Sequence, residues 1–326
     1  MAALAVFVVV FAATALATRG VLGWLSKKEI LDHPNDRSSH SQPTPRGGGL
    51  AVTPVFVVAW IGLAALGGGE PGLVLVAAGA AGLMAVSWLD DKAGLAAGWR
   101  LAAHLAAAAL GLCALPAGHL VFQGVLPFAL DRIAALLLWV WFVNLYNFMD
   151  GIDGITGIET LCLAAGLACL SSATGGAVEM TLAAAAAGFL LFNWHPAKLF
   201  LGDVGSVPLG HALAWLLLSL AAGGQWPAAL ILPAYYLTDA TWTLARRAAR
   251  GEKIWRAHRE HFYQRAVQGG ASHAAVARIV LAGDIALVGL ALLSRTHRWL
   301  AMALAVLVVG AMLGWMTIRG RRPNAV

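Results

Sequence analysis

Eleven long apolar stretches, parted by short polar ones, constrain this chain more than any other feature. They cover approximately 2–18, 49–67, 71–89, 100–115, 133–149, 155–172, 178–194, 206–222, 227–245, 273–293 and 298–317. Lipid offers no partner to a backbone N–H or C=O, so a segment that crosses it must be a helix or part of a closed barrel. These runs are rich in Ala, Leu, Val and Gly without alternation of period two, which selects helices. Only 12% of the residues are charged and mean hydropathy is +0.76, whereas soluble domains carry about 25% charge. The expected fold is all-α: a polytopic integral membrane bundle of about 11 transmembrane helices in one domain, 1–326. No basic residue precedes the first stretch, as it would in a signal peptide, so it reads as a retained span.

Charge sets the expected orientation. With the N-terminus outside, the inward segments are 19–48, 90–100, 150–154, 193–206, 246–272 and the tail after 317, and they hold 18 of the 22 Lys and Arg residues. The outward loops hold Arg132, Arg295 and Arg298, and Arg278 lies within the tenth stretch. This is a strong positive-inside bias, and it puts the C-terminus in the cytoplasm. Cys113, Cys162 and Cys169 all sit in apolar stretches without CxxC spacing, which argues against a disulfide framework or a zinc site. The basic residues are not interleaved with stacking aromatics on a soluble module, which argues against a nucleic acid partner.

Every strongly acidic cluster falls on the inward side, where an apolar stretch ends. Asp90-Asp91 closes the third stretch, and adjacent carboxylates repel unless a cation or shared proton relieves them. Asn147, Asp150 and Asp153 follow at i, i+3, i+6, a spacing that keeps them near one helical face. Gly151 and Gly154 let a ligand approach the backbone closely. In the loop from Asn193 to Ser206, Asp203 joins Asn147 as a hard oxygen donor of the kind Mg²⁺ accepts beside substrate phosphates. Asp203 is also placed to cap the eighth helix. From Arg246 to His273, cations alternate with aromatics, and Arg256, His258, His261 and Arg265 are suited to hold a pyrophosphate. The His258–His261 pair has zinc-like spacing but no third soft ligand nearby. The run Pro45-Arg46-Gly47-Gly48-Gly49 has the look of a backbone nest for an anion.

Taken in order, Pro43-Thr-Pro-Arg-Gly-Gly-Gly, Asp90-Asp91, Asn147-Phe-Met-Asp-Gly-Ile-Asp153-Gly, Phe200-Leu-Gly-Asp-Val-Gly-Ser206 and His258 to His261 resemble the polyprenyl-phosphate N-acetylhexosamine-1-phosphate transferases. That superfamily also holds the phospho-MurNAc-pentapeptide translocase. The resemblance spans nearly the whole chain. It implies attack of undecaprenyl phosphate on the β-phosphorus of a UDP-N-acetylamino sugar, with UMP leaving. By the same resemblance, Asp203 and Asn147 hold Mg²⁺ (or Mn²⁺), and Asp90, with Asp91 beside it, positions or deprotonates the lipid phosphate. Gly151, Asp153, Asn193 and Phe200 fall in the uridine pocket, and His258 and His261 lie near the phosphates with Arg46, Arg256 and Arg265 as helpers. Asp150 is a supporting residue. The implied setting is the bacterial inner membrane, N-terminus periplasmic, active site cytoplasmic, with a homodimer as a plausible assembly. The translocase has three consecutive histidines where this chain has His258-Arg-Glu-His261. The sequence is therefore closer to the branch that starts O-antigen and other surface polysaccharides.

Two other classes compete. A proton-coupled secondary transporter needs an ionisable group at mid-membrane, and Asp284, near the middle of the tenth stretch, is the candidate. A structural subunit that recruits polysaccharide enzymes would not need the carboxylates at all.

Overall fold

The computed structural model describes the chain except for residues 1, 35–41, 69–71, 116–117, 172–174, 254–257 and 322–326. The helices are α1 (Ala2–Lys27), α2 (Gly49–Ala65), α3 (Leu73–Ala93), α4 (Ala97–Leu112), α5 (Phe128–Phe148), α6 (Ile155–Leu170), α7 (Ala177–Asn193), α8 (Asp203–Leu220), α9 (Trp226–Ile231), α10 (Ala234–Ala249), α11 (Phe262–Gln268), α12 (His273–Leu293) and α13 (Arg298–Gly320). Among the described residues, six segments are long and apolar enough to cross a membrane, and α2, α6 and α7 are shorter apolar helices. The chain is an all-α, multi-pass membrane protein. Its described β structure is one antiparallel pair of two-residue strands, β1 (Leu31–Asp32) and β2 (Thr44–Pro45).

Several boundaries differ from those the sequence predicts. The ninth stretch is two helices, α9 and α10, because Pro233 has no N–H to continue the ladder. Helix α1 runs on to Lys27, past the expected end at 18, and α5 starts at Phe128 rather than 133. A turn separates α8 from α9 where the eighth and ninth stretches part, with Gly224 at φ +88°.

Helix α8 lies at the centre: 89% of its apolar window is buried, against 17% for α1. Close approach to α8 is made by small residues, as is usual where apolar lipid provides no hydrophobic drive between helices. A Cβ on Gly49 would overlap the backbone of Val204 and Gly205, and one on Gly79 would lie 2.6 Å from His211 Nε2. Pro208 interrupts the α8 ladder and leaves the Val204 carbonyl without its usual donor. Thr53 of α2 supplies one, its Oγ1 donating to Val204 O at 2.9 Å. Trp60 ties α2 to α7 by donating to Thr181 Oγ1 at 2.6 Å.

The helices alternate in direction, so the segments expected on the inward side meet at one end of the bundle. There Arg46 reaches Asp203, Arg100 reaches Asp90, Asp153 reaches His273, and Gly269 packs on Arg319 and Gly320. At the other end, Gln123 donates to Ala221 O and Trp226 meets Trp299.

The glycine contacts give a controlled test. Gly49→Ala forces backbone apart from backbone and is expected to lower the unfolding midpoint in detergent, at a cost of about 1–3 kcal/mol. Gly62→Ala, in the same helix, meets nothing within 4 Å and should leave the midpoint unchanged or slightly raised. Equal midpoints for the two variants would contradict the α2–α8 crossing.

Candidate active site

The site is assembled from helix ends. Asp90 and Asp91 occupy the last turn of α3, which Gly94 terminates in the left-handed region at φ +66°. The two carboxylates point to different partners. Asp90 accepts from Leu95 N–H at 2.7 Å and pairs with Arg100 of α4 at 3.3 Å. Asp91 instead faces Arg46, 3.9 Å away. Arg46 is the hub, since its guanidinium also donates to Asp203 Oδ1 at 2.7 Å. Burial disfavours the Arg46 charge, but Asp203 and Asp91 more than compensate and raise its pKa.

Asp203 opens α8, as expected of a residue placed to cap that helix, although it is the first helical residue rather than the cap. Its Oδ2 receives Asn147 Nδ2 from the end of α5 at 3.3 Å, and Asn147 Oδ1 receives Ser206 Oγ at 2.6 Å. The predicted pair Asp203–Asn147 is thus in contact. Asp150 lies just beyond α5, and burial pushes its carboxyl up to about 6, against the pull of a Thr156 hydrogen bond and the Arg46 charge.

The glycine run does not form a free nest. Gly47 and Gly48 donate their N–H groups to Phe200 O at 3.1 and 2.8 Å, and Gly49 donates to Leu201 O at 2.9 Å. Those donors are spent on joining the 42–49 segment to the 193–206 loop, so an anion finds only the Arg46 side chain there. Asn193 is likewise engaged: its Oδ1 accepts Gly154 N–H at 3.0 Å and its Nδ2 donates to Leu199 O at 2.9 Å. The space above Gly151, expected to admit a ligand, is filled by Tyr263, whose hydroxyl a Cβ on Gly151 would overlap. Tyr263 Oη donates to Phe148 O at 3.1 Å and so holds α11 against the end of α5.

Asp153 belongs to a second group. His195 Nδ1 lies 2.6 Å from its Oδ2, which also accepts Ala197 N–H at 3.2 Å, and His273 Nδ1 lies 3.2 Å from its Oδ1. Burial acts to raise this carboxyl, but the hydrogen bonds from His273, His195 and Ala197 hold it below the usual carboxylate range.

The His258 and His261 rings meet at a tilt of 32°, with centres 4.8 Å apart. Burial, with His261 and Arg247 beside it, pushes His258 down to about 4, so it meets a ligand as a neutral imidazole at pH 7. The basic run around them is largely self-neutralised. Arg247 pairs with Glu260 at 3.0 Å and Glu252 at 3.1 Å, and Arg250 holds both acids too. Burial opposes it, yet the Arg250 hydrogen bond and the Arg250 and Arg247 charges keep Glu260 below its ordinary value. Arg265 packs against Gly320 at the end of α13, and Arg256 lies outside the described residues.

A cleft of about 380 Å³ gathers some of these groups, while Arg46, Asp91, Asp150, Asp153, Asn193 and Phe200 are not among its lining residues. Asp90, Arg100, Asn147, Asp203, His258 and His261 line its polar part, and Leu83, Val86, Leu101 and Val207 its apolar part. Asp284 does not line it. That residue is buried beside Glu159 of α6, and neither carboxyl has a hydrogen-bond donor among the described residues.

Sequence reasoning missed Arg100, His195, His273 and Asp239. The last, fully buried on α10, has its Oδ1 3.1 Å from His261 Nδ1. An ionisable residue inside an apolar stretch is itself a signal of function, and Asp239 falls within 227–245. No comparable signal marks His195 or His273, which lie far from Asp153 in sequence.

The raised pKa of Asp150 has a measurable consequence. The unfolded carboxyl, near 3.8, loses its proton before the folded one at about 6, so wild type loses stability as pH rises through this window. Asp150→Asn lacks that loss. In EDTA it should gain on wild type by up to about 3 kcal/mol between pH 4 and 7, read from unfolding midpoints. A gap that stays constant with pH would refute the assignment.

Comparison with known proteins places these elements in one family. The glycosyl transferase family 4 pattern matches residues 73–221, which carry Asp90, Asn147, Asp153 and Asp203 but neither Arg46 nor His261. The chain is 30% identical to the decaprenyl-phosphate N-acetylglucosaminephosphotransferase of Mycolicibacterium smegmatis, across 79% of this chain and 75% of that protein. It is 27% identical to a probable undecaprenyl-phosphate N-acetylglucosaminyl 1-phosphate transferase of Bacillus subtilis, covering 86% and 81% of the two chains. A phospho-N-acetylmuramoyl-pentapeptide-transferase of Heliobacterium modesticaldum is 46% identical, but over only 88 residues, about a quarter of each chain. The likeness to the mycobacterial protein runs along three quarters of either chain, and the family pattern covers the helix ends that build the cleft: this chain belongs to glycosyl transferase family 4.

Proposed function

We propose that the protein transfers N-acetylglucosamine 1-phosphate, or a closely related N-acetylamino sugar 1-phosphate, from its UDP-sugar to undecaprenyl phosphate. The products are undecaprenyl-pyrophosphate-sugar and UMP, and the step initiates O-antigen or another surface polysaccharide. The observation that carries this reading is the cleft itself, where carboxylates, Arg100 and histidines adjoin an apolar wall of Leu83, Val86, Leu101 and Val207. A phosphate with a hydrocarbon tail matches both halves. The long coverage of two N-acetylglucosamine-phosphate transferases supports the sugar.

One phosphoanhydride replaces another, so catalysis consists mainly of positioning and charge neutralisation. The donor set suits a hard cation. Asp203 and Asp91 face the guanidinium of Arg46, with the Asp32 and Asp150 charges acting on it too, and a flip of the Asn147 amide, whose Nδ2 now contacts Asp203 and whose Oδ1 accepts from Ser206, would turn that oxygen toward Asp203. Asp203 and Asn147 would hold Mg²⁺ or Mn²⁺, which supplies charge stabilisation at the phosphates when bound. Asp90, fixed by Leu95 N–H and Arg100, positions the lipid phosphate, with Asp91 beside it. That phosphate needs little help to ionise, because its second pKa is about 6. Asp153 and the 193–200 loop form the uridine end, with Asn193 and Phe200 shaping the loop through their internal bonds. Gly151 seats Tyr263 beneath it. His258 and His261 close the phosphate side. Under this reading the cleft end of the bundle faces the cytoplasm of a bacterial inner membrane, as the distribution of Lys and Arg predicts.

The strong local identity to a pentapeptide transferase favours a second reading, in which the donor carries UDP-MurNAc-pentapeptide. One assay separates the two. Purified protein with undecaprenyl phosphate and Mg²⁺ should release UMP from UDP-N-acetylglucosamine or a similar sugar and not from the pentapeptide donor. Asp203→Asn should lose about 100-fold or more, and EDTA should abolish release until Mg²⁺ is restored. Release only from the pentapeptide donor would overturn the first reading. Activity that survives EDTA would overturn the metal assignment.

A further inference from the structure

Asp239 is fully buried on α10. Oδ1 accepts the Phe262 backbone N–H at 3.1 Å and Thr243 Oγ1, one turn along α10, at 3.3 Å. Oδ2 accepts Tyr235 Oη, one turn before, at 3.4 Å. The remaining neighbour is His261 Nδ1, 3.1 Å from Oδ1. A carboxylate already receiving three donors has only acceptor capacity to offer the ring. With Asp239 ionised, this contact places a hydrogen on Nδ1, in competition with the Gln264 backbone N–H that also faces the His261 side chain at the head of α11. The ring is also held in orientation by its stack on Tyr263, with planes 15° apart, while Gln264 Oε1 accepts the His261 backbone N–H at 3.3 Å and fixes the main chain there. His261 borders the cleft that also contains Asn147 and Asp203.

We propose that Asp239 is a positioning residue for the transfer reaction: it fixes the His261 proton on Nδ1, so that Nε2 is the ring atom left to engage a phosphate in the cleft. This rests on the transferase reading for its catalytic meaning, but the tautomer can be observed without turnover. Orientation of an imidazole through the hydrogen bond on its far nitrogen is a general device, and it sets which nitrogen can act. The position also explains the short helix α11. Its first residue donates to the same Asp239 oxygen that holds the ring, so α10, the loop and the histidine are fixed by one atom.

The test uses the full chain, ¹⁵N-labelled at histidine, in lipid bilayers. The His261 signals are identified by their loss in His261→Gln. Above the pH at which the ring is neutral, wild type should show a protonated Nδ1 and a bare Nε2. Asp239→Asn offers either an amide oxygen or an amide N–H to the ring, and should give a mixture with substantial Nε2–H. Its kcat should fall about 10- to 100-fold with the donor KM changed less than about 3-fold, and Asp239→Glu should recover part of kcat. A wild-type ring protonated on Nε2 would overturn the proposal, and that spectrum decides the matter even if Asp239→Asn does not fold. An unchanged tautomer in a folded Asp239→Asn variant would overturn it equally. Failure of the wild type to release UMP would instead count against the transferase reading, and the tautomer would stand.

Discussion

Lipid cannot hydrogen-bond a peptide group, and everything else in this molecule follows from that refusal. The spans must be helices, and their polar chemistry is pushed to the ends, where backbone groups run out of intrahelical partners. The candidate site is made almost entirely from such ends: the last turns of α3 and α5, the first turn of α8, and the connection from α10 to α11. Because the helices alternate in direction, residues as distant as Arg46 and Asp203 arrive together. The bundle thus collects the charges of the candidate site at one end.

Within that surface, the balance of charge decides what is free to act. Arg46 is shared among carboxylates, while Arg247 and Arg250 are consumed by Glu252 and Glu260. A basic loop that looks like an anion clamp in sequence is therefore mostly a brace. The cationic groups open to the cleft are fewer, and Arg100, paired with Asp90, is foremost among them.

The helical class, the gathering of the acidic segments at one end of the bundle and the Asp203–Asn147 contact were legible because each depends on local pattern: apolar run length, loop charge, and oxygen donors at stretch ends. What was illegible depends on long-range closure. Nothing near Gly47 reveals that its N–H will meet Phe200 O, so a peptide that reads as a nest becomes a seam. Nothing near Asp153 reveals His195 and His273. Pro233 was visible, yet a strongly apolar flank on both sides masked the break it makes in the ninth stretch. Asp239 was visible too, as a lone acid in an apolar stretch, but its partner lies across a loop.

The Thr53 hydroxyl on the Val204 carbonyl has a consequence for how such sequences vary. Pro208 creates an orphan acceptor inside the bundle, and a residue on a different helix answers it. Positions 53 and 208 are therefore coupled. A chain with an ordinary residue at 208 returns that carbonyl to its own helix, and position 53 is then free to be valine. Proline at 208 should coevolve with threonine or serine at 53, a covariation written by one unpaired oxygen.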